Sequence, residues 1–324
     1  MVFYFIYLIA GLILVIKGAD LLVNGASTIA RGMRISEFVI GLTIVSFGTS
    51  LPELMIALTS SESNLPDLII GNVVGSNIAN VLLVLGTAAI IRQLPATNDT
   101  VWKEIPFTLL ASIAVVCLLN NFFIGDSDSL ALSRLDGGIL LCFFLVFMAY
   151  AAHIIKKQSQ EEQAWIESPE KHSKLRSGLE IVAGIVALKY GGDLAVLDGA
   201  VPIAKTLGMS DALIGLTVIA IGTSLPELAT SAVAAYKNNV DIAVGNVVGS
   251  NIFNIFIVLG ITSVVKPIPF DETYNIDLGI MVCTTIPLFI FLFVGHPKRT
   301  IQRFEGVIFL ALYGAYMVYV IQRG

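Results

Sequence analysis

Gly48-Thr49-Ser50-Leu51-Pro52-Glu53-Leu54 returns unchanged as Gly222-Thr223-Ser224-Leu225-Pro226-Glu227-Leu228, and the fold follows from reading the two copies together. Each copy closes an apolar run, Val39 to Phe47 or Leu213 to Ile221, so each sets a proline and a carboxylate inside a segment apolar enough to span a membrane. A proline within a helix lacks the amide that would bond the carbonyl four residues back, and its ring pushes that carbonyl aside. The carbonyls of Gly48 and Gly222 are therefore expected to be freed, with those of Thr49 and Thr223 beside them. A freed carbonyl in hydrocarbon needs another partner, which is why broken helices at membrane depth line cavities and ion sites. Two carboxylates, the hydroxyls of Thr49, Ser50, Thr223 and Ser224, and the carbonyls form an all-oxygen set suited to hard cations such as Ca²⁺ or Na⁺.

Composition agrees with a membrane protein. The chain is 56% hydrophobic and only 13% charged, with a mean hydropathy of +0.86, which excludes an ordinary soluble domain. Windows of about 20 apolar residues predict ten spans, at 3–26, 37–59, 68–91, 104–124, 135–155, 178–201, 211–235, 243–265, 275–295 and 304–322. The first contains Lys17 and lacks a basic leader, so it is expected to be a retained helix and not a cleaved signal. With the N-terminus outside, thirteen loop Lys and Arg residues fall inside, Arg31, Arg92 and Arg303 among them, and four fall outside: Arg134, Lys205, Lys266 and Arg323. That asymmetry places both termini on the extracellular side of the plasma membrane. Cys117, Cys142 and Cys283 share no motif spacing and are expected to be packing residues, and no histidine has an acidic partner at zinc-site spacing.

The offset of 174 residues that superposes Glu53 on Glu227 also aligns Gly25-Ala26 with Gly199-Ala200. It carries on through Gly71-Asn72-Val73-Val74-Gly75-Ser76-Asn77-Ile78, which aligns with Gly245-Asn246-Val247-Val248-Gly249-Ser250-Asn251-Ile252. Over 39–54 and 70–86, 23 of 33 positions match, far beyond chance. Each repeat holds five expected spans, an odd number, so the second copy enters the membrane from the opposite side. The expected fold is all-α integral membrane: ten transmembrane helices in two inverted five-helix repeats, with proline-broken helices 2 and 7. The halves are 1–155 and 178–324, joined by a short cytoplasmic loop, 156–177, whose glutamate-rich run reads as a solvated linker. Inverted repeats meet at a pseudo-two-fold axis, which brings the two carboxylate segments together near the midplane and favours alternating access. Ser76, Asn77 and Asn80 share one helix face, as do Ser250, Asn251 and Asn254. Gly71 with Gly75, and Gly245 with Gly249, are small-xxx-small pairs that let backbones approach closely.

The paired Gly-Thr-Ser-Leu-Pro-Glu segments, each followed by Gly-Asn-x-x-Gly-Ser-Asn-Ile-x-Asn, resemble the alpha-repeats of the cation/Ca²⁺ exchanger superfamily, above all the compact prokaryotic sodium/calcium exchangers. The resemblance covers nearly the whole chain. It implies Ca²⁺ or several Na⁺ bound between the second, third, seventh and eighth helices. Carried over by motif position, Glu53 and Glu227 would be the principal Ca²⁺ ligands, with the carbonyls of Thr49 and Thr223 beside them. Ser50, Ser76, Asn80, Thr223, Ser224, Ser250 and Asn254, with the backbone at Ser46 and Ala220, would complete the Na⁺ sites. Several family members carry an aspartate where this chain has Asn254, so the inferred site holds two carboxylates, enough to neutralise one Ca²⁺.

An intramembrane ion pair is the structural alternative for the glutamates, but the only basic residues inside expected spans, Lys17 and Lys189, have nearer partners in Asp20 and Asp193. A carboxylate at helix centre costs about 2.5–3.5 kcal/mol on insertion scales, and it occurs here twice at symmetric positions. The sequence thus points to a secondary active antiporter moving Ca²⁺ against Na⁺, not an enzyme, with no cofactor and no nucleic-acid or protein partner beyond the ions and the bilayer. A proton/cation antiporter on the same scaffold is the alternative. An intramembrane enzyme lacks a second polar cluster to hold an organic substrate, and a channel would show no coupled counter-transport.

Overall fold

The computed structural model describes residues 1–33, 35–120, 130–161, 174–209, 218, 220–293 and 299–323. In chain order the helices are α1 (Val2–Met33), α2 (Glu37–Glu62), α3 (Pro66–Ile91), α4 (Thr100–Leu119), α5 (Arg134–Glu161), α6 (Lys174–Ala195), α7 (Leu225–Tyr236), α8 (Val240–Val265), α9 (Asn275–Phe293) and α10 (Arg303–Arg323). Among the described residues, eight helices are long and apolar enough to cross a membrane, α6 and α7 falling outside that set. Charge keeps α6 out, since Glu180, Lys189 and Asp193 lie within its apolar part, yet the chain stays helical through the expected span by way of Val196–Ala200 and Val201–Thr206. For α7, the first part of the expected span lies outside the described residues, as do most of the central loop, His172 and His296.

Exposed apolar side chains such as Phe3, Ile9, Leu145, Val182, Ile286 and Val307 would be a liability in water, but they cover the helix faces that lipid would touch. Helices α3 and α8 are the most enclosed and carry the polar asparagines and serines inward. Close packing is set by glycine. A Cβ on Gly18 would stand 2.8 Å from the Leu188 backbone nitrogen, and one on Gly184 would stand 2.7 Å from that of Leu22. Helices α1 and α6 therefore lie backbone against backbone, antiparallel, with Gly25 against Ser177 at one end and Gly11 against Ala195 at the other. Gly86 of α3 meets Gly306 of α10, and Gly260 of α8 meets Gly137 of α5. Two short antiparallel ladders repeat that exchange between halves: β1 (Leu94–Pro95) pairs with β4 (Thr300–Ile301), and β2 (Ala131–Leu132) with β3 (Ile268–Pro269).

Helices α2 and α7 end alike. Asn64 (φ 57°) and Asn238 (φ 68°) take the left-handed conformation, and the next amides, of Leu65 and Asn239, reach back to the Ser60 and Ala234 carbonyls at 2.9 and 2.8 Å. This is the Schellman closure, with asparagine replacing glycine because its short polar side chain tolerates that region.

Two expectations are corrected. Asp20 does not pair with Lys17, which is exposed; it forms an ion pair with Lys237, whose ammonium also donates to Asn24 Oδ1 at 2.7 Å. The turn after α7 lies over α1 and presents a cation there, whereas Lys17 is exposed and forms no ion pair among the described residues. Lys189 and Asp193 pair as expected, at 3.0 Å. Cys142 and Cys283 are exposed on helix faces and do not pack in the interior, while Cys117 is half-buried.

Candidate functional site

Both copied segments break their helices at the serine. Ser50 (φ −87°, ψ 4°) ends the short turn Ser46–Thr49, and Ser224 (φ −84°, ψ 5°) ends Ala220–Thr223; new helices begin at Leu51 and Leu225. The prolines, expected to break helices 2 and 7, sit in the first turns of the new helices, where a missing amide costs nothing because those amides have no intrahelical partner. Ser50 and Glu53 stand in the spacing of a capping box, as do Ser224 and Glu227, yet neither serine caps its own helix. Ser50 donates instead to Glu227 Oε1, 3.1 Å away on the other repeat, and Ser224 donates to Ser76 Oγ at 3.4 Å.

Helices α2, α3, α7 and α8 converge around these breaks. Glu53 and Glu227 are 0% exposed, and Ser46, Thr49, Ser50, Ser76, Asn80, Thr223, Ser224, Ser250 and Asn254 are all buried with them. Ala220 heads the turn that ends at Thr223. The Thr49 hydroxyl lies 3.1 Å from Asn246 Oδ1, 3.3 Å from the Ser46 carbonyl and 3.4 Å from Ser250 Oγ, and its single proton can serve one of these at a time. Asn80 donates to Asn251 Oδ1 at 3.0 Å. Glycine brings α8 onto α2 here, since a Cβ on Gly249 would stand 2.5 Å from Ser46 Oγ, and Gly245 abuts the Phe38 carbonyl. The equivalent partners of Gly71 and Gly75 fall at residues 212–220, mostly outside the described residues.

Three residues stand out that the motif did not assign. Asn246 accepts from Thr49 and donates to Ser231 Oγ at 3.0 Å, with the Glu227 carbonyl 3.5 Å away; Asn251 receives Asn80. The signal for Asn246 and Ser231 was spacing, one helical turn before Ser250 and one after Glu227. The first repeat has Ala57 where the second has Ser231, and Asn72, the counterpart of Asn246, accordingly has no partner for its Nδ2.

Among the described residues, eleven buried side-chain polar atoms have no hydrogen-bond partner, and six of them belong to Glu53, Glu227, Asn80 and Asn254. Both oxygens of Glu53 are included, although the Ser76 hydroxyl faces them. Each orphaned group costs about 1–3 kcal/mol, a cost that clusters where it can be offset by a ligand. Five of the six atoms are oxygens, the atoms a hard cation takes, and no described cluster of three or more His, Cys, Asp or Glu residues offers a rival metal site.

The family model described as sodium/calcium exchanger protein matches residues 3–152 and 178–322. The chain is 38% identical to a putative antiporter, CaxA, of Alkalimonas amylolytica, with 96% of each covered, and 32% identical to the sodium/calcium exchanger MaX1 of Methanosarcina acetivorans, with 97% of each covered. A solved structure of the sodium-calcium exchanger NCX_Mj, soaked with Na⁺ and Sr²⁺, superposes with a TM-score of 0.80 at 35% identity, covering 98% of this chain and 99% of that one. With both halves matched by the family model and whole-length relatives at this level of identity, the chain belongs to the sodium/calcium exchanger protein family.

Proposed function

We propose that the protein is a secondary active antiporter that exchanges Ca²⁺ for Na⁺ by alternating access, binding its ions between the two repeats. The observation that carries this reading is the pair of fully buried glutamates from the two copies, linked across the repeats by Ser50 and Glu227, with three of their four oxygens unpartnered. Two carboxylates compensate one desolvated Ca²⁺. Glu53 and Glu227 take it with the Thr49 and Thr223 carbonyls, and these four residues together with Ser46, Ser50, Ser76, Asn80, Ala220, Ser224, Ser250 and Asn254 supply oxygens for Na⁺. The helices end at Thr49 and at Thr223, and interrupted helices of this kind bind cations through their freed carbonyls, which supports the reading.

The reading includes ten spanning helices in inverted halves, 1–155 and 178–324, in the plasma membrane with both termini outside. It is supported by the antiparallel α1 and α6, by the matched left-handed Asn64 and Asn238, and by β1 and β3, which stand 174 residues apart and each pair with a strand of the opposite half. Uptake of radioactive Ca²⁺ into proteoliposomes, with and without an outward Na⁺ gradient, tests it. Uptake should require the Na⁺ gradient, and equal uptake driven by a pH gradient alone would establish the proton antiporter instead.

A further inference from the structure

A cavity of about 600 Å³ opens where α3 ends and α10 begins, lined by Arg92, Gln93, Asn238, Thr300 and Arg303. None of its described lining residues is acidic, and neither arginine has an ion-pair partner among the described residues. Among the described residues, Arg303 donates only to the Ile91 carbonyl, at 3.4 Å. Two like charges sharing one space repel unless an anion lies between them.

The opposite end of the molecule shows what the same position does without a cavity. Lys266, 174 residues after Arg92, donates to the Ser61 carbonyl at 3.1 Å and to Asn64 Oδ1 at 2.5 Å, closing onto the α2–α3 turn. Arg92 has no such bond to Asn238, because the α7–α8 turn is drawn to α1: Lys237 pairs with Asp20, and Asn239 donates to Ser27 Oγ at 2.6 Å. The guanidiniums are left over, with amides and a hydroxyl beside them.

Planar guanidiniums match phosphate oxygens in pairs, and neutral donors complete such a cradle. Below the cavity α10 exposes Phe304, Val307 and Ile308 in succession, a track for a hydrocarbon chain. We propose that this cavity binds the phosphate of an anionic phospholipid, its acyl chain lying along that face of α10. The cavity lies among the loops whose Lys and Arg residues place them inside, facing the anionic leaflet. The assignment is independent of which ions the protein exchanges.

The full-length protein in detergent, examined by native mass spectrometry and thermal melting with phosphatidylglycerol, phosphatidylcholine or inorganic phosphate, tests it. Wild type should retain phosphatidylglycerol and melt higher with it, and should gain nothing from the other two. Arg92→Gln, whose side chain makes no bond to lose, should lower retention about fivefold, the equivalent of about 1 kcal/mol per basic residue. Arg92→Gln with Arg303→Gln should abolish retention, while Lys266→Gln, the same charge change at the other end, should preserve it. Undiminished lipid on the folded double variant would overturn the assignment, as would phosphatidylcholine or inorganic phosphate protecting as well as phosphatidylglycerol.

Discussion

Glu227 accepts a hydrogen bond from Ser50 whereas neither oxygen of Glu53 has a partner, so the two residues should answer differently to loss of charge. Glu53→Gln and Glu227→Gln should each abolish Ca²⁺ uptake, because each removes half the compensation for a divalent ion. In ion-free protein, Glu53→Gln should melt no lower than wild type, since an unpaired buried charge costs several kcal/mol, and the stabilisation by added Ca²⁺ should vanish in both. Normal uptake by either variant would remove that glutamate from the site. Asn254 is buried with both amide atoms unpartnered, so a change there tests the site as well. Asn254→Asp would bring the site to three carboxylates, leaving one negative charge beside a bound Ca²⁺, and should tighten Na⁺ competition in Ca²⁺ flux assays. An unchanged half-inhibiting Na⁺ concentration would place Asn254 away from the ions. The carboxylates and hydroxyls were legible in the doubled motif because chemistry at membrane depth is rarely decorative. For Asn246 the sequence held only its place one turn before Ser250, and its role was not legible, since its partners Thr49 and Ser231 come from two other helices that only the fold brings together.

At the level of helices, the contact that sets the site's width is α8 against α2. Gly249→Ala would press a methyl against Ser46 Oγ, costing about 1–3 kcal/mol by overpacking, and the backbones can relax only by separating Thr49 from Ser250 and Asn246. Both the melting temperature and Ca²⁺ affinity should fall, whereas Gly314→Ala, with no atom within 4 Å of the added Cβ, should change neither. The small-xxx-small spacing disclosed this approach in the sequence, but the partner helix had to come from the structure. The lysines show the limit of local reading. Spacing along α1 suggested Asp20 for Lys17, yet the cation that reaches Asp20 arrives from the α7–α8 turn, more than two hundred residues away. Lys237→Met should therefore lower thermal stability by about 0.2–1 kcal/mol, the usual range for a partly exposed pair, and Lys17→Met should not. Equal effects from the two would restore the local pairing.

Over the whole molecule, a two-fold relation between halves predicts equivalent bonds in each, and the bonds are not equivalent. Asn80 reaches Asn251, but Asn254 and Asn77, the same pair with the halves exchanged, leave Nδ2 and Oδ1 unpartnered; Ser50 reaches Glu227, but Ser224 does not bond Glu53. The repeat was readable from the 174-residue offset, whereas this asymmetry was not, because near-identical sequence encodes near-identical preferences and only the folded state breaks the tie. Alternating access requires such a break, for a symmetric molecule would be open to both sides or to neither. If the bonds trade places as access alternates, Asn251→Ala should depopulate the state seen here by the worth of one hydrogen bond, about 0.5–1.5 kcal/mol. Apparent affinity scales with the fraction of competent molecules, so the Ca²⁺ concentration for half-maximal exchange should rise on one side of the membrane and fall on the other, by roughly two- to tenfold. Asn77→Ala, which weakens the bond of the opposite state, should shift the two sides in the reverse sense. Proteoliposomes sorted by orientation give both values. The same rise on both sides for both variants would mean that the asparagines hold the local structure and take no part in choosing the state.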